Sequence, residues 1–276
     1  MKILALGDFH GKFPEKLKKE AKKADLILST GDFADADKIR RIIFKNWTNK
    51  SWIDVVGKKK AKKLEKESFD SGLKILKELN SIGKKSCIIW GNTDFYKGEG
   101  KNEIFPKYFD DKIKRMKNII LIDRKERKIK NIEAIGHGGY LDVTEFIRHP
   151  INKDKEKQKI SLKRYKNYER KLFKLLSDKK PGKGFVFLIH YTPYGFFDKV
   201  KHKGSPMNGK HVGFEPYNRI IRKYQPLICI CGHMHEYQGM KKLGRTIVIN
   251  PGPAYEGKAA LIELEGQKIK SIKFLK

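Results

Sequence analysis

Short apolar runs recur along the chain and break off at glycine or at a polar side chain. Residues 2–6, 25–30, 86–90, 184–189 and 226–230 read Lys-Ile-Leu-Ala-Leu, Asp-Leu-Ile-Leu-Ser-Thr, Ser-Cys-Ile-Ile-Trp, Gly-Phe-Val-Phe-Leu-Ile and Pro-Leu-Ile-Cys-Ile. Near-continuous hydrophobicity at this length predicts short buried strands. Between them the spacing changes to that of helices. Residues 14–23 carry Pro14 in the first turn and Leu17 and Ala21 on one face, and residues 215–224 form another helix. Two long Lys-rich stretches are also helical. Residues 57–81 offer Leu64, Phe69, Leu73, Ile75, Leu76 and Leu79 for burial, and residues 153–180 offer Ile160, Leu162, Tyr165, Leu172, Phe173, Leu175 and Leu176 until Pro181-Gly182 closes them.

The pattern predicts further strands at 119–122 and 128–135, joined as a hairpin about Lys125-Glu126-Arg127. Others fall at 246–249, 259–264 and 268–275, the last two a hairpin about Glu265-Gly266. Strand, helix and strand in quick succession at the start favour parallel pairing with a right-handed crossover. Residues 192–213 form a long Gly/Pro-rich loop, and such loops in compact domains are usually functional. The class is α/β, as a single domain over residues 1–276.

The residues just past each strand are more informative than the strands. The first strand runs into Gly7-Asp8-Phe9-His10, the second into Gly31-Asp32, the third into Gly91-Asn92-Thr93-Asp94, the fourth into His190, and the fifth into Cys231-Gly232-His233-Met234-His235. Open α/β sheets place their chemistry at such strand ends. Singly, these residues have plain explanations: Asp8 as a helix cap, His190 as a core residue, Asp35 and Asp37 as helix N-terminal acids. Five repetitions of the device point to metal binding. His233 and His235, two apart, would face opposite ways on an extended strand. Both can serve only if the backbone curls around a site or each reaches a different ion. The loop Gly136-His137-Gly138-Gly139-Tyr140 offers either close backbone approach to a ligand or a tight turn.

Charge adds a second theme. The 276 residues include 63 Lys+Arg against 32 Asp+Glu, a net charge of +31. Such a field attracts polyanions, although Lys spread through every segment is also what compositional bias or a thermophile's surface produces. Cys87, Cys229 and Cys231 all lie in apolar runs and no C-x-x-C is present, which argues for reduced, buried thiols and against a finger-type zinc site. No apolar run approaches the roughly 18 residues of a membrane helix, and the first apolar run is too short for a signal peptide. The expected location is the cytoplasm, with no membrane partner.

Collected, the candidate ligands are Asp8, His10, Asp32, Asn92, His190, His233 and His235. Two carboxylates, an amide oxygen and four imidazoles suit first-row divalent ions, manganese foremost, then iron, cobalt, nickel or zinc. Seven ligands exceed what one ion takes with an open position, and they match two ions sharing a carboxylate. The set Asp8-x-His10, Gly31-Asp32, Gly91-Asn92-x-Asp94, His190 and Gly232-His233-x-His235 resembles the calcineurin-like metallophosphoesterase superfamily across nearly the whole chain.

That resemblance implies two packed β-sheets flanked by helices. It implies one ion held by Asp8, His10, Asp32 and His235, and a second by Asp32, Asn92, His190 and His233, with Asp32 bridging. It further implies hydrolysis of a phosphoester by a metal-held hydroxide, with Asp94 orienting its neighbours. Gly136-x-Gly-Gly, Tyr-Thr-Pro-Tyr-Gly, Lys-His-Val-Gly and Asn250-Pro251-Gly252-Pro253 are similar to the small phosphodiesterase-like branch. The chain departs from the family at Thr93, where a proton-donating His is common. Thr donates a hydrogen bond but is no acid near neutral pH, so His211, ahead of His202 and His137, is the candidate replacement. The expected substrate is a phosphodiester, either nucleotide-like or a nucleic acid. The rival reading is a binding or scaffold protein that keeps the fold without hydrolysis, against which the full ligand set argues.

Overall fold

The uninterrupted apolar runs are explained by cover on both sides. The computed structural model of the protein describes residues 1–47, 51–98, 104–141, 154–182 and 184–276. In it, β1 (Lys2–Leu6), β2 (Leu26–Ser29), β3 (Ser86–Ile88) and β4 (Ile119–Leu121) run parallel, and β11 (Ala259–Glu265) and β12 (Lys268–Leu275) join antiparallel on the far side of β1. A second six-stranded sheet has the order β5 (Glu126–Ile129), β6 (Ile132–His137), β7 (Phe185–Ile189), β8 (Ile228–Ile230), β10 (Thr246–Asn250) and β9 (Gly239–Leu243). Its edge strands β5 and β9 pair antiparallel and the others parallel.

Alternate residues of one strand feed different cores. Ile3, Ala5, Leu26, Leu28 and Cys87 of the first sheet pack against Ala134, Val186, Leu188, Ile228 and Ile230 of the second. Their neighbours Leu4, Leu6, Ile27 and Ile88 face outward onto α1 (Glu15–Lys23), α4 (Lys58–Ser81) and α5 (Phe109–Ile113), through Leu17, Phe69, Leu76 and Phe109. Across the molecule Phe185, Phe187, Ile189 and Cys229 meet α6 (Lys155–Leu175) and α7 (Glu215–Tyr224) through Leu172, Tyr217 and Ile221. The layers are therefore helix, sheet, sheet, helix. Each large apolar side chain buried this way stabilises the fold by about 1.5–3 kcal/mol. Two short helices, α2 (Asp37–Lys45) and α3 (Trp52–Val56), bury no residue.

The hairpin expected about Lys125-Glu126-Arg127 is elsewhere. β4 belongs to the first sheet, parallel to β3, and the hairpin joins β5 to β6 through Lys130-Asn131, where Lys130 has φ +53°. A two-residue turn with positive φ matches the twist of the flanking strands. The charged triplet reads as a turn because β5 is an edge strand whose side chains face water. β9 is hidden in the sequence for the same reason, its Lys241 and Lys242 being exposed. The glycines around His137 serve packing: Gly136 and His137 lie within β6, and Gly139 N–H donates to the Trp90 carbonyl at 2.6 Å.

The fold positions chemistry through register. Leu6 lies beside Ser29 and Ser29 beside Ile88, while Leu188 lies beside Ile230 and Ile230 beside Ile249. The parallel strands of each sheet thus end level, and their terminal loops converge at one edge of the sandwich.

Candidate metal centre

Immediately past those strand ends the backbone turns sharply. Asp8, His10, Asp32 and His233 have φ of +54°, +43°, +56° and +67°, a left-handed conformation that non-glycine residues hold only where their surroundings enforce it. Hydrogen bonds between turns do so here. Asp8 N–H donates to the Gly31 carbonyl at 2.9 Å, and the N–H groups of Phe9 and His10 both reach the Asp32 carbonyl. The glycines that break each apolar run allow this crowding. A Cβ on Gly31 would stand 2.2 Å from the Gly91 nitrogen, and one on Gly232 would stand 2.9 Å from Asp8 Oδ2.

Asp94 ties the turns together. Buried, its Oδ2 accepts from the N–H groups of Asp32 (2.9 Å) and Gly91 (2.8 Å), and its Oδ1 from Phe33 and Ala34. It braces two ligand-bearing loops and acts through them. Thr93 N–H donates to Asp32 Oδ1 at 2.9 Å, while its hydroxyl is directed to the Ala34 carbonyl at 3.3 Å.

Two groups of donor atoms result, each within a 4.8 Å span: Asp8, His10, Asp32 and His235 in one, and Asp32, His190 and His233 in the other. Asn92 belongs with the second, its Oδ1 standing 2.8 Å from both His190 Nε2 and His233 Nδ1. His233 and His235 separate, one into each group, as the positive φ of His233 permits. Asp32 joins the groups: its Oδ2 is 3.7 Å from His10 Nε2 and its Oδ1 is 3.6 Å from His190 Nε2.

Divalent cations fit these donors. His10 Nε2 and His235 Nε2 approach to 3.0 Å, two ring nitrogens aimed at one place, a convergence that a cation satisfies. The protonation states agree as well. Burial disfavours charge on Asp8 and Asp32, but His235 beside Asp8, and His190, His10 and the Thr93 N–H around Asp32, hold both carboxyls below the usual range. Burial pushes His233 down to about 3, with His190 adding to the effect, and lowers His10 with help from His235. His235 moves the other way: burial opposes its charge, but the bond to Asp8 raises it. Ionised Asp8 and Asp32 beside neutral His10 and His233 are in the forms that bind metal.

A family model for the metallophosphoesterases of the calcineurin superfamily matches residues 1–274. The chain is a calcineurin-superfamily metallophosphoesterase. It is similar to the uncharacterized protein MJ1162 of Methanocaldococcus jannaschii, 26% identical over 272 residues and covering 96% of both chains. Its fold is similar to a crystal structure with TM-score 0.68 and 23% identity, covering 99% of this chain and 98% of that one. It also resembles a dimetal phosphatase from Danio rerio with TM-score 0.53 and 12% identity, covering 96% and 92%. Membership and the two donor groups together support a metal-dependent phosphoesterase. No helix among the described residues is long and apolar enough to cross a membrane.

His211 stands apart from both groups. Its Nδ1 donates to Asp198 Oδ1 at 2.7 Å, and Asp198, almost wholly buried, also accepts from the N–H groups of Gly195 and Gly213. Sequence reasoning misses Asp198, since nothing local in Phe197-Asp198-Lys199 marks it. Tyr191, the first residue of the Tyr-Thr-Pro-Tyr-Gly motif, has its ring 4.2 Å from that of His233, while Tyr255, 5.7 Å from both His10 and His235, carries no sequence signal. His137 is buried, hydrogen-bonded through Nδ1 to the Tyr217 hydroxyl, and pushed by burial down to about 3. It is neutral near pH 7 and is no proton donor there.

Proposed function

We propose that this chain hydrolyses phosphodiesters using two divalent cations, manganese foremost. Asp8, His10, Asp32 and His235 would hold one, and Asp32, Asn92, His190 and His233 the other. The observation that carries this reading is the division of Asp32, one oxygen facing each group of histidines. Bound there, such cations supply an activated water and neutralise charge on the phosphoryl oxygens.

The chain's own residues set the rest of the chemistry. Asp94 keeps the loops of Asp32 and Asn92 in register, so the donors are oriented before substrate arrives. Thr93, with its hydroxyl on Ala34, delivers no proton to a leaving oxygen. Of His137, His202 and His211, the last is best built for that task. Asp198 orients the ring, and with Nδ1 donating to Asp198 any proton exchange with a leaving group runs through Nε2, on a side chain 44% exposed. The three buried free thiols, Cys87, Cys229 and Cys231, favour a cytoplasmic setting.

The test is turnover of a bis-aryl diester, an aryl monoester and an alkyl monophosphate after chelation and reloading with each cation. The expected order places the diester about 100-fold above the alkyl monophosphate in kcat/KM, the scale of a general acid in direct contact with the leaving oxygen. Thr93 does not supply that acid, and His211, apart from both donor groups, does not fully replace it. Equal or faster turnover of the alkyl monophosphate would contradict the proposal.

A further inference from the structure

Beside the centre lies a basic rim. Residues 199–214 hold Lys199, Lys201, Lys203, Lys210, His202 and His211 and not one carboxylate. The segment is anchored to the centre. Val200, Met207 and Val212 pack with Met234, the residue between His233 and His235, and Phe214 N–H donates to the Thr192 carbonyl, two residues beyond His190. The rim therefore borders the loops that bear both donor groups.

Its lysines, among the described residues, are free of ion pairs. Some lysines elsewhere, Lys18, Lys38, Lys66, Lys97 and Lys179 among them, are paired with carboxylates. Among the described residues, Lys199, Lys201, Lys203 and Lys210 make no ion pair, and all four are exposed. Two acids beside it are already engaged: Asp198 with the N–H groups of Gly195 and Gly213 and with His211, and Glu236 with the N–H groups of Lys201 and His202. Aromatic rings are interleaved with the cations. Lys201 Nζ lies 4.3 Å from the Tyr237 ring centre, Lys241 Nζ lies 5.3 Å from that of Phe197, and Phe44 of α2 sits 6.1 Å from His202. Tyr194, exposed, lies 5.8 Å from His211.

We infer that this rim binds single-stranded nucleic acid, so that the phosphodiester presented to the centre is one link of a polynucleotide. The inference rests on the phosphodiesterase reading above and names its substrate class. Unpaired cations strung along one edge fit successive phosphates better than the one or two of a small diester. The exposed Tyr194 ring, with the half-buried Tyr237 and Phe44, supplies the kind of stacking face that unpaired bases use. A single strand satisfies both features at once.

The experiment measures binding of a labelled, phosphorothioate-linked strand of about 20 nucleotides, longer than the ~4–16 nucleotides one such groove covers. RNA, DNA and the matching duplex are compared on the manganese-loaded 276-residue chain across a salt series. Two variants carry equal charge changes: Lys199, Lys201, Lys203 and Lys210→Gln on the rim, and Lys59, Lys60, Lys62 and Lys63→Gln on α4. Each phosphate contact contributes about 0.7 to the salt slope of a single strand, so the rim variant should lose about 3 from the slope and bind at least about tenfold more weakly. The α4 variant should stay within about twofold, and Tyr194→Ala should weaken binding by about tenfold.

Equal losses in the two lysine variants, no loss in either, or preference for the duplex would overturn the inference. Hydrolysis of the bis-aryl diester without salt-dependent strand binding would remove the rim proposal alone. Strand binding without hydrolysis of any diester would remove the phosphodiesterase reading and leave the surface standing.

Discussion

His190 and His10 both turn Nε2 toward Asp32, but only His190 is held from behind. It is fully buried, and its Nδ1 meets the Thr30 carbonyl at 2.8 Å. Its partner Asn92 is fixed in turn by contact with two imidazoles at 2.8 Å. His10 Nδ1 is buried with no hydrogen-bond partner among the described residues, and the side chain of its neighbour His235 is 17% exposed. A carbonyl behind a ring fixes its tautomer and orientation and raises its basicity as a ligand. The His190 group is thus organised in advance, whereas the His10 group is held by a hydrogen bond between two ring nitrogens 3.0 Å apart, which a bound cation would replace. The contrast teaches that two sites sharing a carboxylate need not bind alike.

The largest effect should come from the residue common to both. Asp32→Asn leaves each group short of a charged oxygen, and turnover of the bis-aryl diester should fall by more than the ~100-fold typical of losing an orienting partner. Metal analysis of the same variant should show both ions depleted. Retention of one tightly held ion would mean that the groups do not depend on a common carboxylate.

Next in size is the contrast itself. Metal titration of the wild type should resolve two affinities about 10–100-fold apart. His10→Ala should keep the tight one and His190→Ala only the weak one. Identical affinities, or the reverse assignment, would break the comparison.

The smallest expected effect concerns His137, a buried histidine at the end of β6, next to β7. Its folded value of about 3 lies below the ordinary 6.5 because of burial. Above pH 6.5 neither state is charged and no penalty exists. As pH falls through 6.5 the unfolded chain takes the proton first, so stability declines by up to about 1.4 kcal/mol per unit toward pH 3. Urea unfolding at pH 7 and pH 5 should show a smaller decline in His137→Asn than in the wild type. An unchanged pH slope would contradict the assignment.

Much of this protein was legible along the chain. The buried strands and the helices appear in the apolar spacing, and the donor types stand directly after the strand ends, because each is a property of near neighbours: period, breaks and the side chain that comes after a break. Glycine at positions 31 and 232 marked the turns, although only the packed structure shows that they admit Gly91 and Asp8. Where water-facing side chains dominate, as in β5 and β9, the spacing carries no strand signal and places the hairpin wrongly.

Only the tertiary structure decided how the donors divide. The partition of His233 and His235 between two groups comes from a backbone angle that packing imposes. The bracing of His190 by Thr30, and of four N–H groups by Asp94, joins residues far apart in sequence, as does the burial that depresses His137. A chain specifies its local conformations through neighbouring atoms. Which distant groups meet, and what charges they then carry, depends on a low-dielectric interior that exists only once the sheets have closed on each other.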